Sequence, residues 1–442
     1  MARWLRRPSR TVPMTLSVCC AAIVLVQPAQ APSLKASRWS AKTMTLGQPC
    51  FQALGSARLS TANGWHVYVE NPRTLKAANG LYLIGLPTLE WHEDSPELTR
   101  MIAPGGTPLL GAKLGNDGLV TLLYGPPDGG KIIELRVAAD AAGRIHAIWS
   151  RSDSGNLDSG ALYYAIHNGK RWSPTQKVPQ LPPHRWDAGT SELLVTPEGL
   201  AVVLPGAPYT SHANSIYLLL RQKSRWITRS ITVQANPAYA RLAIVGRNIT
   251  IAYVTADINS PQEADNNSLF SVFSADFNIG SFSSPQLIHR SGRGASHSPI
   301  ILTNPRGVLF LVWRQTLETS PPRNEVIVAT SNDRGRTWSS RPSITQGSSG
   351  LLPAAAFSYD GSLLVTSGSA TNDSDVLLWW SGAFGRQRFG GPWMSVTSPT
   401  LGGVTKDRLL LSFTTTERIA VPAGEQNMPI TNIVRIAPCS HQ

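Results

Sequence analysis

Cysteine is scarce in this sequence: of 442 residues four are Cys, and Cys19 and Cys20 fall in an N-terminal apolar stretch, which leaves Cys50 and Cys439 as one pair near the two ends. The nine His show no His-Glu-x-x-His or similar zinc spacing, so no catalytic metal is expected. No cofactor is expected either, because Gly292 and Gly294 sit in a basic loop without a phosphate-binding context. The apolar run from Met14 to Val26 is too short to span a bilayer comfortably. Charged residues make up only 15% of the chain, and the positive ones are dispersed rather than gathered in a block, which argues against a nucleic-acid partner. With 37 Gly and 33 Pro punctuating the whole length, a protein of long helices is excluded.

What is present begins with a leader. Arg3, Arg6, Arg7 and Arg10 precede the apolar run, and Ala29-Gln30-Ala31 supplies small residues before a cut, so residues 1–31 read as an export signal or, if retained, an N-terminal anchor. Residues 32–49 are expected to be a linker, and 50–442 a single domain. Removing the leader's four arginines lowers the net charge from +13 to about +9, which favours acidic partners such as sialylated or uronic-acid glycans. An oxidising destination makes Cys50 and Cys439 a candidate disulfide tying the ends of the domain together. Membrane contact is expected only if the N-terminal segment stays attached.

From about residue 131 a pattern repeats: apolar strand, Gly or Asp turn, aromatic-rich strand, polar loop, strand, and a tight turn closing on an aromatic. The closing aromatics are Trp172, Trp226, Phe282, Trp338 and Phe389, at spacings of 54, 56, 56 and 51 residues. Repeats of this length, built of β-branched and aromatic strands, point to propeller blades rather than helical solenoids. The expected fold is all-β, a six-bladed β-propeller of four-stranded antiparallel blades. A last blade around Arg408–Phe413 and Thr431–Ile436 is to be completed by an outer strand from the N-terminal region. Strand-like runs within 64–125, such as Gly80–Ile84 and Leu119–Leu123, make seven blades the alternative.

One turn is sharper than the others. In Ser331-Asn332-Asp333-Arg334-Gly335-Arg336-Thr337-Trp338, Ser331 and Asp333 can accept hydrogen bonds from backbone amides, Gly335 permits positive φ, and Trp338 offers a large ring to bury. This stretch resembles the Asp-box (BNR) repeat of the sialidase (neuraminidase) superfamily, Ser-x-Asp-x-Gly-x-Thr-Trp. Worn versions carry Ala165, His167, Gly169 and Trp172, then Ser274, Asp276 and Phe282, then Ser381, Gly385 and Phe389. The resemblance implies that the box, Ser331, Asp333, Gly335, Thr337 and Trp338, is structural, and that any active site lies on the opposite face. It also implies three arginines for a substrate carboxylate, a tyrosine nucleophile with a glutamate, and an aspartate acid/base. The chain departs from that pattern twice: no Arg-Ile-Pro or Arg-Leu-Pro opens the repeats, and no tyrosine follows Tyr359.

On the implied active face, His184-Arg185-Trp186-Asp187 combines a cation, an aromatic platform and a carboxylate, the groups that hold a charged sugar. Arg314 and Glu318, after Trp313, form the second candidate set. Asp257, Glu263 and Asp265 share one loop but fit no calcium motif. The expected function is an exported, sialidase-like propeller that recognises carbohydrate, its partner an extracellular glycan or envelope protein. Sialidase-type exo-glycosidase activity is its narrower form, and a non-catalytic interaction or assembly scaffold at the cell envelope is the alternative.

Overall fold

Short runs rich in Val, Ile, Leu and aromatics, broken every few residues by Gly, Asp or Asn, favour hairpins over helices. The computed structural model contains thirty strands and no helix among the described residues. Met1–Ala31 forms one unit and Pro32–Gln442 another. The structure describes the strands given below and most of the tight turns between them. Residues 1–34, 61–67, 89–109, 125–131, 152–160, 185–190, 257–266, 275–281, 370–375, 403–408, 439–442 and some shorter joints lie outside the description.

Three strands come first: β1 (Lys35–Ser37), β2 (Lys42–Leu46) and β3 (Phe51–Ser60). Four-stranded antiparallel sheets then follow one another along the chain. The first is β4 (Tyr68–Ala77), β5 (Gly80–Thr88), β6 (Leu110–Leu114) and β7 (Val120–Tyr124). The second is β8 (Ile132–Ala139), β9 (Ile145–Arg151), β10 (Ala161–His167) and β11 (Gln176–Lys177). The third is β12 (Glu192–Thr196), β13 (Gly199–Pro205), β14 (Ser215–Gln222) and β15 (Arg225–Thr232). The fourth is β16 (Ala238–Val245), β17 (Asn248–Ala256), β18 (Asn267–Ser274) and β19 (Gln286–His289). The fifth is β20 (Gly294–Thr303), β21 (Leu309–Leu317), β22 (Arg323–Ser331) and β23 (Ser339–Ser340).

The last two sheets borrow strands from the N-terminal region. β24 (Gly350–Phe357), β25 (Leu363–Ser369), β26 (Val376–Trp380) and β27 (Gly385–Gly390) are extended by β2, which pairs with β27. β28 (Ser395–Gly402), β29 (Leu409–Val421) and β30 (Gly424–Pro438) are completed by β3, which runs antiparallel to β30 from Phe51 opposite Pro438 to Arg58 opposite Asn432. β1 then pairs with β3. The stretch 32–49, expected as a linker, thus contributes two strands, and 68–124 forms the additional sheet weighed from the sequence. Cys50 and Cys439 lie just beyond the last described pair of the β3–β30 ladder, outside the described residues.

The leading strand of each sheet touches the leading strand of the next, from β4 through β8, β12, β16, β20 and β24 to β28, and β28 touches β4. The last approach is tight: a Cβ on Gly402 would stand 2.5 Å from the Thr74 carbonyl oxygen, so only glycine fits there. Buried apolar clusters straddle successive sheets. Leu75, Tyr82 and Ile84 of the first meet Ala147, Trp149 and Ala165 of the second. Ala201, Val203 and Leu218 of the third meet Leu242, Ile251 and Val272 of the fourth. The closing aromatics join this scheme, with Trp172, Trp226, Phe282 and Trp338 each packed on a cluster that includes residues of the preceding sheet. Each sheet thereby covers its neighbour's apolar face.

The turn after β22 shows how that contact is fixed. Ser331 Oγ donates to Asp333 Oδ1 (2.8 Å) and accepts from the Gly335 amide (2.8 Å). The amide and hydroxyl of Thr337 donate to the two oxygens of Asp333 at 2.9 and 2.6 Å. Burial pushes the Asp333 carboxyl up, but the hydrogen bonds from Thr337, Ser331 and the Arg336 backbone outweigh it and bring its pKa down to about 2. Gly335, at φ 91°, lies so close to Thr250 of β17 that a Cβ would meet its side chain at 2.7 Å. Thr250 donates to the Arg334 carbonyl (2.9 Å), and Trp338 Nε1 donates to Ser271 of β18 (3.3 Å). The turn is a stitch between two sheets.

Candidate functional site

The leading strands are irregular where they begin. Register shifts lie between Glu70 and Arg73 in β4, Ile132 and Glu134 in β8, Ala238 and Arg241 in β16, His297 and Ile300 in β20, Gly350 and Pro353 in β24, and Thr397 and Thr400 in β28. Bulges of this kind re-aim side chains and recur beside functional sites. Two of them hold residues in the left-handed region that only glycine adopts without cost: Tyr239 at φ 51° and Ser298 at φ 49°. β16 and β20 are neighbours, so the strained positions fall at one end of adjacent strands.

Two arginines anchor the start of β12. Arg136 of β8, 1% exposed, donates through Nε to the Ser191 carbonyl (3.0 Å) and through Nη1 to Leu135 O (3.0 Å). Arg241 of β16, 5% exposed, reaches the same Ser191 carbonyl from the other side (2.8 Å) and also the Ala240 carbonyl (3.0 Å). Its Nε lies 3.6 Å from Glu192 Oε2. Buried guanidinium groups are costly unless their donors find acceptors, and here one donor from each arginine holds the Ser191 peptide between two flanking sheets. Of the two, Arg241 lies beside the Glu192 carboxylate.

Arg314, Tyr239 and His297 form a second group, at the start of β16 and β20. Arg314 of β21 stands opposite His297 of β20 in the ladder, and the Tyr239 ring meets the His297 ring edge-on with centroids 6.4 Å apart. Arg314 Nε is buried and has no hydrogen-bond partner among the described residues. Burial lowers the Arg314 pKa, which the neighbouring Tyr239 phenol partly offsets. Burial and then the Arg314 charge bring the His297 pKa down to about 4, so the imidazole is neutral at neutral pH. Beneath them, Ser291 and Ser296 share a hydrogen bond (2.9 Å), and Ser296 Oγ donates to Gln315 Oε1 (2.8 Å). That buried network ties Ser291 to β20 and β21. A half-buried guanidinium with a donor to spare, beside a phenol and a neutral imidazole, suits a carboxylate or sulfate group.

Of the residues singled out in the sequence, Arg314 lies in this cluster. Glu318 follows β21, is exposed, and has no ion pair among the described residues. Arg185, Trp186 and Asp187 lie outside the described residues, as do Asp257, Glu263 and Asp265. Their neighbour His184 is buried, with Nδ1 3.1 Å from the Pro182 carbonyl and a bridge to Gly206. Among the described residues no three His, Cys, Asp or Glu side chains gather as a metal site. Sequence reasoning missed Arg136, Arg241 and Tyr239. The available signal was a single arginine inside an apolar strand, as in Leu135-Arg136-Val137 and Ala240-Arg241-Leu242.

No protein-family model and no curated protein sequence matches the chain. Solved structures do. A polysaccharide lyase of family PL25, an ulvan lyase solved with -[GlcA(1-4)Rha3S]- bound, matches over 82% of this chain and 93% of its own at 11% identity and a TM-score of 0.52. The likeness is one of fold. A protein of unknown function from Dyadobacter fermentans DSM 18053 matches over 88% of this chain and 99% of its own, at 14% identity and a TM-score of 0.50. The chain is all-β, built of four-stranded antiparallel sheets, with propeller-like neighbours.

Proposed function

We propose that the protein is an exported, seven-bladed, sialidase-like β-propeller that binds an acidic carbohydrate where its leading strands begin. The run of contacts from β4 to β28 and back to β4, with the tight pass of Gly402 over Thr74, supports reading the seven sheets as blades of one closed ring. The hydrogen-bonded turn at Ser331–Trp338 supports its reading as an Asp-box. The arginine-rich leader supports export, and the dispersed positive charge of the mature chain suits acidic ligands.

The observation that carries the binding reading is Arg314, half-buried with an unclaimed Nε donor beside Tyr239 and His297. The ulvan lyase solved with a glucuronate- and sulfate-bearing saccharide shows this fold class holding such a ligand. Arg314 takes the anionic group, Tyr239 and Glu192 contact the sugar, and Glu318 extends the surface. The test is binding of the mature chain to an array of sialylated, uronate-bearing and sulfated glycans. Arg314→Ala weakens the best ligand by at least about tenfold, or about 1.4 kcal/mol. Absence of any glycan binding by the wild type, or equal binding by the variant, removes the proposal. A fluorogenic sialoside decides the narrower hydrolytic reading, since turnover above buffer is its requirement.

A further inference from the structure

At the other end of the strands, a pocket of about 730 Å³ opens between the second and third sheets. Two turns flank it: the Asp140–Arg144 turn joins β8 to β9, and the hairpin at Lys223 joins β14 to β15. Among the described residues its one carboxylate, Asp140, is fully claimed. Asp140 accepts from the Arg144 amide (2.8 Å), from Arg144 Nε (2.6 Å) and from His146 Nε2 (3.1 Å). With its Nε2 proton directed at Asp140, His146 accepts the Tyr164 hydroxyl at Nδ1 (2.8 Å). Burial lowers the His146 pKa and raises that of Tyr164 to about 12, so both stay neutral at neutral pH.

The cations around that network are not balanced. The Arg221 guanidinium lies 4.6 Å above the Tyr164 ring, its Nε is buried, and it has no hydrogen-bond acceptor or carboxylate partner among the described residues. Lys223 is exposed at φ 57°, in a hairpin position that glycine occupies without strain, and it too lacks a carboxylate partner among the described residues. Among the described residues three positive side chains, Arg144, Arg221 and Lys223, therefore line one pocket against one carboxylate that is already bonded. Cations that line one pocket favour an anion among them.

We infer that this pocket is a second binding site, for an oxyanion: a sulfate, a phosphate or the carboxylate of an acidic sugar, held by Arg221 and Lys223 with Arg144 at its edge. It stands apart from the Arg314 cluster and does not depend on that reading. Calorimetric titration of the full-length mature protein with sodium sulfate, sodium phosphate and sodium glucuronate tests it. Measured in the Arg314→Ala background, so that the Arg314 cluster contributes nothing, saturable binding of at least one of the three is expected, weakened at least about tenfold by adding Lys223→Gln or Arg221→Gln/Lys223→Gln. Tighter binding of glucuronate than of the inorganic ions assigns the site to an acidic sugar; tighter binding of sulfate or phosphate assigns it to the free ion. No saturable binding by Arg314→Ala overturns the inference. So does unchanged binding on adding exposed Lys223→Gln, which leaves the Arg221–Tyr164 packing intact.

Discussion

Asp333 concentrates more hydrogen bonds than any other side chain in its turn, yet it touches no part of the Arg314 cluster. Its role is therefore in stability, and the sign of its pH dependence follows. The folded pKa of about 2 lies below the ordinary 3.8, so the stabilisation is fully present above the ordinary value and is lost as pH falls through the folded one. Asp333→Ala lowers the unfolding free energy at neutral pH by about 1–3 kcal/mol, the range for hydrogen bonds to a charged group and the donors left behind. Urea unfolding measured from pH 6 down to about 2 checks both points, because the variant loses less stability across that window than the wild type does. An equal acid loss in both would assign the acid sensitivity to other groups.

The strands and the Ser331 turn were legible in the sequence because both are local. Strand pattern repeats every two residues, and the turn's donors and acceptors lie within eight positions of one another. The bulges at the leading strands were not legible, since a bulge is defined by the partner strand as much as by its own residues. Pro237-Ala238-Tyr239-Ala240-Arg241 reads as an ordinary strand opening, and nothing in it announces that Tyr239 adopts φ 51°. Arg314 was found because it follows Trp313 at the end of a strong apolar strand. Arg136 and Arg241 were not, because their shared acceptor, the Ser191 carbonyl, is 55 and 50 residues away in sequence. At this scale Gly402 supplies a test of strand packing. Gly402→Ala forces a Cβ against the Thr74 carbonyl and destabilises by about 1–3 kcal/mol, as overpacking does elsewhere. Thermal unfolding of the variant measures it, and an unchanged midpoint would mean that β4 and β28 do not pack this closely.

For the molecule as a whole, the ends of the chain matter most. The β3–β30 ladder has Phe51 opposite Pro438, one residue from each of the remaining cysteines. A Cys50–Cys439 disulfide is expected there, and removing it by Cys50→Ser costs about 2–5 kcal/mol. Mass spectrometry of the non-reduced protein settles the pairing: two free thiols would rule it out.

That same ladder also sets the order in which the protein can be made. β3 is synthesised long before its partner β30, so one sheet stays incomplete until Gly424–Pro438 is available. Until then β3 carries an unpaired edge, the kind of surface on which chains aggregate. A polypeptide released early, short of Gly424, has every other sheet's own strands and still lacks the partner for β3. That ladder therefore closes only once Gly424–Pro438 has been synthesised.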